Sequence, residues 1–502
     1  MKRSSKDRSF FDLHKISTRL SEALSSDLDN GINEFHSNEY TQYYADIWKG
    51  DFLSKIDLSS ADDAGTLEEK AFKKFFRSNT RMKKINEEFA EKQLLLHLHH
   101  TDHRQPYRRD TASDDKLGLL WLTLKRARYL AHFVLTPLTE DEWFLGCKTS
   151  SGSSLGVPYS DTSLERKFTY PISCTKRVIP LFERYLQFDP QMRIALDTLN
   201  ESVICDRFDV REMSRATTVE KNSTSRRMIA VEPTLNMFFQ QGLMDALVRR
   251  LKAVGLDITS APDLHKMLAC HGSITNRYAT IDFANASDTV SIELLRWLIP
   301  PSWFSRIDLV RSPLMNVNGE IHDLNMIATM GNATTFPIET LVLWCIAVSS
   351  VYTHRDTKRN RFIPDQKYFD QVSVFGDDCI LPSETSNLFI EACQFVGFEV
   401  NLDKSFIEDG YFRESCGGDY FHGRDVRPVF LRSPPNTSKS TLEPYVYGIM
   451  NRVIRKYVSY YGPTNYVYGR KFIQECFDIL NQQHVLVKIV PDWFPDDAGL
   501  KI

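Results

Sequence analysis

Two adjacent aspartates, Asp377 and Asp378, lie in the stretch VSVFGDDCILP at 372–382. Like charges repel, and the apolar runs on either side should be heading for a core. Earlier in the chain a third acid, Asp282, closes the strand-like run YATID. A carboxylate at the end of a buried strand is costly without a partner. If the three converge, they can hold two divalent ions about 3.5–4 Å apart, one of which would lower the pKa of an attacking hydroxyl. Mg²⁺ suits an all-oxygen site that leaves room for waters and phosphates. Gly376-Asp377-Asp378 taken alone is weak, because an acidic hairpin turn explains it equally well.

The elements that must position these acids can be read from periodicity. Val372, Val374 and Phe375 on one side and Ile380 and Leu381 on the other predict a tight β-hairpin with Gly376-Asp377 at its turn. YATIDFANASDTVSIELLRWLIPP, 278–301, reads as strand, loop and helix, with Ser287 or Asp288 as the cap and Pro300-Pro301 as the stop. Between them, NMIATMGNATTFPIETLVLWCIAVSSVY, 325–352, places a Gly331-Asn332 loop before a long apolar helix. Thr335 is the expected N-cap, with Pro337 in the first turn. Any core helix can begin this way; beside the acids, the loop can shape a nucleotide site.

Cations gather elsewhere. TTVEKNSTSRRMIAVEP, 217–233, carries Lys221, Arg226 and Arg227 before a strand-like run. A solvated turn explains them, but beside a magnesium site they could neutralise a triphosphate. LEEKAFKKFFRSNTRMKKIN, 67–86, and LGLLWLTLKRARYLAHFVL, 117–135, predict helices with cationic faces. Such a face is ordinarily solvated, and the sharper alternative is a wall of a nucleic-acid channel. GCKTSSGSSLGVPYSDTS, 146–163, is a Gly/Ser loop without a phosphate-loop pattern. The final helix signal, from 440, has a possible capping box at Ser440 and Glu443.

The bulk numbers are those of a globular chain. It has 502 residues, 42% hydrophobic and 25% charged, and a net charge of −3. That length suggests about three domain-sized units or one large multi-lobed enzyme, and the charge argues against a simple nucleic-acid coating protein. Nine cysteines without a C-x-x-C pair fit reduced thiols. The N-terminus has no apolar signal core, and LVLWCIAV, 341–348, is too short to span a bilayer. Residues 277–440 alternate short strands and helices, which suggests an α/β or α+β core.

With these residues in view, the chain resembles the RNA-directed RNA polymerases of the single-stranded RNA bacteriophages, the leviviruses. The matching blocks are RMIAVEPTLNMFFQQG (227–242), HGSITNRYATIDFANASDTVSIELL (271–295), PPSWFSRIDLVRSP (300–313), MGNATTFPIE (330–339), VFGDDCILPS (374–383) and the run 397–432. The resemblance implies an α+β right-hand fold with an antiparallel palm sheet carrying the hairpin. Residues 1–270 would be mainly fingers with an N-terminal helical region, 271–432 mainly palm, and 433–502 thumb. It implies Asp282, Asp377 and Asp378 as ligands of two Mg²⁺ ions, with Mn²⁺ able to substitute. Lys404 in NLDKSF matches a lysine proposed to protonate the leaving pyrophosphate. Asp288 matches an acid that helps read the ribose 2′-hydroxyl, with Gly331 and Asn332 beside it. Lys221 and Arg227 match a triphosphate-contacting motif that Arg226 adjoins. FRESCGG, 412–418, matches a hairpin that supports the nascent strand, so Arg413 and Ser415 are expected at RNA.

The implied activity is template-directed nucleotidyl transfer from NTPs with pyrophosphate release, in the cytoplasm of a bacterial host and without a membrane. The implied partners are template and nascent RNA, host translation elongation factors and a ribosomal protein. The competing readings are a reverse transcriptase, a metal-dependent nuclease and a catalytically silent RNA-binding subunit. Ala286, Ser287 and Asp288 stand where reverse transcriptases place a bulky aromatic gate. The intact three-aspartate set opposes the silent subunit, and the cationic segment with Lys404 opposes the nuclease.

Overall fold

The structure, a computed structural model, describes residues 19–20, 22–23, 26, 64–101, 112–222, 225–356, 362–407, 410–427, 439–461 and 470–501. The chain divides into two compact units. One comprises Met1–Leu67, Glu220–Arg226 and Val426–Ile502; the other comprises Glu68–Val219 and Arg227–Asp425. Most of the expected helical region before residue 64 lies outside the described residues, as do 428–432 of the last matching block.

The larger unit is a mixed helix and strand body. Its centre is the helix Thr335–Arg355, buried from Thr335 through Thr353 apart from Phe336. A helix apolar on every side belongs inside a large core. This one passes a membrane-length test by composition, yet 89% of its most apolar window is buried in the protein. Helix Ala112–Val134 packs along it. Arg126, 2% exposed, donates from Nη1 to Thr353 Oγ1 at 3.0 Å.

Two sheets flank this core. The first runs Ser225–Val231, Met213–Asn222, Leu314–Val317, Glu320–Asp323 in spatial order. Phe72, Phe75 and Met82 of helix Ala64–Thr101 pack in a cluster with its buried residues. The second sheet has three antiparallel strands, with Asp378–Pro382 between Tyr278–Ile281 and Ser373–Phe375.

The smaller unit packs Leu442, Val446 and Met450 of helix Lys439–Tyr461 against Phe472, Cys476 and Ile479 of helix Arg470–Gln482. Helix Lys439–Tyr461 begins one residue before Ser440, so Ser440 lies in its first turn and not at the cap. Glu443 pairs with Lys488 at 2.7 Å. All nine cysteines are free thiols.

Two further start signals move. The helix after Asp288 is capped by Ser291, whose Oγ accepts from Leu294 N at 3.1 Å, while Ala286–Asp288 form a 3₁₀ turn. The hydroxyl three residues further on wins because the turn has already used Ser287 and Asp288. Thr335 is the first residue of its helix and Thr334 the cap position. There Asn332 Oδ1 takes the Thr334 amide at 2.9 Å and its hydroxyl at 2.8 Å.

Candidate active site

The second sheet brings the acids together. Ile281 faces Cys379 across the sheet, so one step further Asp282 falls opposite Asp378. Directly opposed residues in an antiparallel pair put their side chains on the same face. Phe375 pairs with Asp378 and leaves Gly376-Asp377 as a two-residue turn. Gly376 has φ +62° and Asp377 is not left-handed, the pattern of a type II′ turn. Gly376 N donates to Thr340 Oγ1 at 3.0 Å, which fixes the tip on the long helix. A Cβ at Gly376 would stand 2.6 Å from the Phe336 ring. Position 376 therefore demands glycine twice, by backbone angle and by space.

Each acid has its own surroundings. Asp282 Oδ2 accepts from Asn401 Nδ2 at 2.7 Å, and its backbone N donates to Ser405 Oγ at 3.2 Å. Burial, then the Asp377 charge, pushes its carboxyl up to about 6; Asn401 and the Lys404 charge oppose the rise. Asp377 is exposed at the tip. Asp378 is pushed up to about 6 by burial and by the charges of Asp377 and Asp282. Its Oδ1 accepts from Ser415 Oγ and its Oδ2 from the Cys416 amide, both at 3.3 Å.

Mutually repelling carboxylates on one sheet end fit a divalent cation, because the ion reverses the field that raises them. Among the described residues, no three His, Cys, Asp or Glu side chains stand close enough to enclose an ion. Asp282 and Asp378 are instead held by hydrogen bonds to Asn401 and to the 412–421 hairpin.

Lys404 lies in the 3₁₀ turn Leu402–Lys404, exposed, with its charge acting on Asp282. Asp288 is half-buried, but its Oδ1 is fully buried with no hydrogen-bond partner. Burial pushes it up to about 7 against the Lys74 charge and the Met330 amide. The Met330 contact places the Gly331-Asn332 loop beside Asp288. Gly331, at φ +108°, passes so close to strand Ser225–Val231 that a Cβ would lie 2.2 Å from Ala230 O. Asn332 is buried, and its Oδ1 is engaged by Thr334.

The cationic segment is divided. Arg227 is exposed in the same unit as the acids, whereas Lys221 and Arg226 fall in the other compact unit.

Arg413 and Ser415 differ most from expectation. Arg413 is 1% exposed; Nε donates to Tyr278 O at 2.6 Å, Nη1 to Phe412 O at 2.7 Å and Nη2 to Asn276 Oδ1 at 3.2 Å. It clamps the hairpin to the strand that carries Asp282 and is not presented to RNA. A five-donor fork suits that task, because it satisfies several fixed carbonyls at once. Ser415 is also 1% exposed and bridges Asp378 to His265 Nδ1, the latter at 2.8 Å.

Three ionisable neighbours of the acids escaped the sequence reading. His265, buried and pushed down to about 4 by burial, backs Ser415. Glu339 is 5% exposed in the long helix and raised well above the usual carboxylate range by burial and by the charges of Asp377, Asp288 and Asp282. Its sequence signal was an acid inside an otherwise apolar run. Lys74 was one cation among many on a basic helix.

A family model described as RNA replicase, beta-chain matches residues 11–456. The RNA-directed RNA polymerase beta chain of Enterobacteria phage fr is 33% identical over 294 residues, covering 58% of this chain and 50% of that one. The RNA-directed RNA polymerase subunit beta of Qbeta virus (strain MX1) is 32% identical over 360 residues, covering 71% and 54%. That of Escherichia virus Qbeta is 35% identical over 288 residues, covering 57% and 44%. The chain thus spans about half the length of the curated relatives it matches. A BmCPV RNA-dependent RNA polymerase, solved in situ at its elongation state, aligns with TM-score 0.42 at 10% identity, over 73% of this chain and 33% of that one. By the extent of the family match, the chain belongs to the RNA replicase beta-chain family.

Proposed function

We propose that this chain is an RNA-directed RNA polymerase that extends RNA from NTPs with release of pyrophosphate. The observation that carries the reading is the sheet register that sets Asp282 opposite Asp378, with Asp377 at the adjoining turn. Two Mg²⁺ ions held by these carboxylates, or Mn²⁺ in their place, would supply activation of the attacking 3′-hydroxyl and neutralisation of the departing charge. The chain's own residues do the rest. Asn401 and Ser405 orient Asp282; Thr340 and Phe336 hold the tip. Asp378 joins the ligand set on release from Ser415 and Cys416, so closure of the site is coupled to the 412–421 hairpin. Lys404 donates a proton to the leaving pyrophosphate. Arg227 neutralises the triphosphate, and Asp288 with the Gly331-Asn332 loop reads the ribose.

The same reading makes the larger fold a right hand, with 1–270 mainly fingers, 271–432 mainly palm and 433–502 thumb. It places the chain in the bacterial host's cytoplasm on template and nascent RNA, with host elongation factors and a ribosomal protein as partners. The test is NTP incorporation on a primed RNA template with Mg²⁺. Asp377→Asn should abolish incorporation while RNA binding persists. Extension by that variant at the parental rate, or release of nucleoside monophosphate in place of pyrophosphate, would sink the proposal.

A further inference from the structure

Helix Ala261–Thr275 packs both on the sheet that carries the acids and on the 412–421 hairpin. The fit is close. A Cβ at Gly418 would stand 2.8 Å from Lys266 Cγ, and one at Gly272 would stand 3.1 Å from Tyr278 O. At the far end of the hairpin, Ser273 Oγ accepts from Gly423 N at 2.8 Å. Into this packing the helix inserts His265, which is 0% exposed. Its ring lies edge-on to Phe375 with 6.3 Å between centroids, and Phe375 is the residue paired with Asp378. Its Nδ1 stands 2.8 Å from Ser415 Oγ, and that oxygen stands 3.3 Å from Asp378 Oδ1.

These two bonds have one consistent direction. A serine hydroxyl has a single proton, and an ionised carboxylate can only accept. The Ser415 proton therefore goes to Asp378, Ser415 Oγ accepts from His265, and the network assigns the imidazole proton to Nδ1. Nε2 is buried without a hydrogen-bond partner among the described residues. A second ring proton there would make a buried, unpaired charge, so the ring stays neutral and its Nδ1 proton stays in place. The shorter of the two bonds is the one to His265. The imidazole thus sets where the serine stands, and it leaves the hydroxyl proton no other partner than Asp378.

We propose that His265 is a positioning residue for metal loading: through Ser415 it holds Asp378 in its hydrogen-bonded arrangement and so sets the divalent-ion concentration at which that carboxylate turns to the cation. This rests on the polymerase reading and on the part given there to Asp378. A carboxylate held in one arrangement binds a cation only from its released fraction, and its apparent affinity falls by that fraction. His265 touches neither cation nor substrate.

Mn²⁺ binding to the full chain, read by electron paramagnetic resonance without RNA or NTP, tests this. Ser415→Ala deletes the donor and should tighten binding about two- to tenfold, the contribution of one hydrogen bond. His265→Gln, whose amide lies one atom beyond the δ position, should tighten it about twofold or more. Should that variant not fold, His265→Phe keeps a ring beside Phe375, lacks the donor and takes its place. His265→Asn retains a donor at the δ position and should bind as the parent does. In a Ser415→Ala background His265→Gln should add nothing, because its only route is through the serine. Weaker or unchanged binding in Ser415→Ala would overturn the proposal, as would an equal effect of His265→Gln with and without Ser415. A merely structural role would weaken binding. Asp378→Asn separates the levels. If it binds Mn²⁺ as the parent does, the assignment of Asp378 fails, and if the parent binds no Mn²⁺, the metal reading fails. If Asp378→Asn weakens binding while His265→Gln matches the parent, the His265 proposal alone fails.

Discussion

Arg413→Met tests whether this arginine serves the fold or the RNA. The guanidinium donates to two backbone carbonyls and to Asn276 Oδ1, and all three bonds lie in or at the edge of the core. A hydrogen bond from a charged group contributes about 1.5–3 kcal/mol, and an acceptor left buried and unpaired costs about 1–3 kcal/mol. The terms do not add fully, because Met fills part of the space, so a loss of ~3–5 kcal/mol is expected. The unit Glu68–Val219 with Arg227–Asp425 has about 350 residues. At ~2.1 cal/mol/K per residue, its unfolding entropy near the midpoint is ~0.7 kcal/mol/K, which makes the expected fall in Tm about 4–7 °C. Arg413→Lys should recover little, since an ammonium cannot span three fixed acceptors.

The assay is calorimetric melting beside RNA affinity measured against salt. A clamp predicts a lowered Tm and an unchanged salt slope. A phosphate contact predicts an unchanged Tm and a slope of log K on log salt smaller by about 0.7–0.9. A Tm within about 1 °C of the parent's, together with that smaller slope, would refute the clamp.

Two further perturbations probe the surroundings. Gly376→Ala puts a Cβ 2.6 Å from the Phe336 ring at a φ of +62°, so a loss of ~2 kcal/mol is expected, seen as a lower Tm and much-reduced incorporation. Parental stability in that variant would mean the turn is not held on the long helix as described. Glu232 is 1% exposed, accepts from Ser312 Oγ at 2.6 Å, and is pushed up to about 7 by burial. Because its folded pKa lies above its unfolded one, its stabilising effect is complete below about pH 4.5 and is lost as pH rises through 7. Glu232→Gln should therefore gain on the parent by up to ~3 kcal/mol between about pH 5 and 8, and a Tm difference flat with pH would contradict this.

What the sequence disclosed, and what it withheld, divides along a physical line. The hairpin at 376–377 was legible because its determinants are local: a glycine that can take positive φ, and apolar residues alternating on either side. The strand before Asp282 and the apolar helix after Gly331 were legible for the same reason. The caps shifted because several hydroxyls and carboxylates compete for the same amides within a few residues, as Ser287, Asp288 and Ser291 do. Arg413 and Ser415 illustrate a different gap. Their types suit RNA, and their place in a hairpin motif invited that reading. Nothing local says that Tyr278 and Asn276, far back in the chain, supply the acceptors that bury Arg413.

Asp378 sharpens that point. Its adjacency to Asp377 made the motif visible, yet its hydrogen bonds run to Ser415 and Cys416, and through Ser415 to His265. Those partners come from a different hairpin and a different helix, so no window of sequence contains them. The result is physically informative. A carboxylate pushed up to about 6 by burial and two like charges is poised to give up neutral hydrogen-bond donors for a cation. Asp282, also pushed up to about 6, is held through one carboxyl oxygen, by Asn401, whereas both oxygens of Asp378 are engaged. The two acids differ in what holds them more than in their charge. On the polymerase reading, Asp282 is therefore the standing ligand, and Asp378 is the one whose engagement the 412–421 hairpin can time.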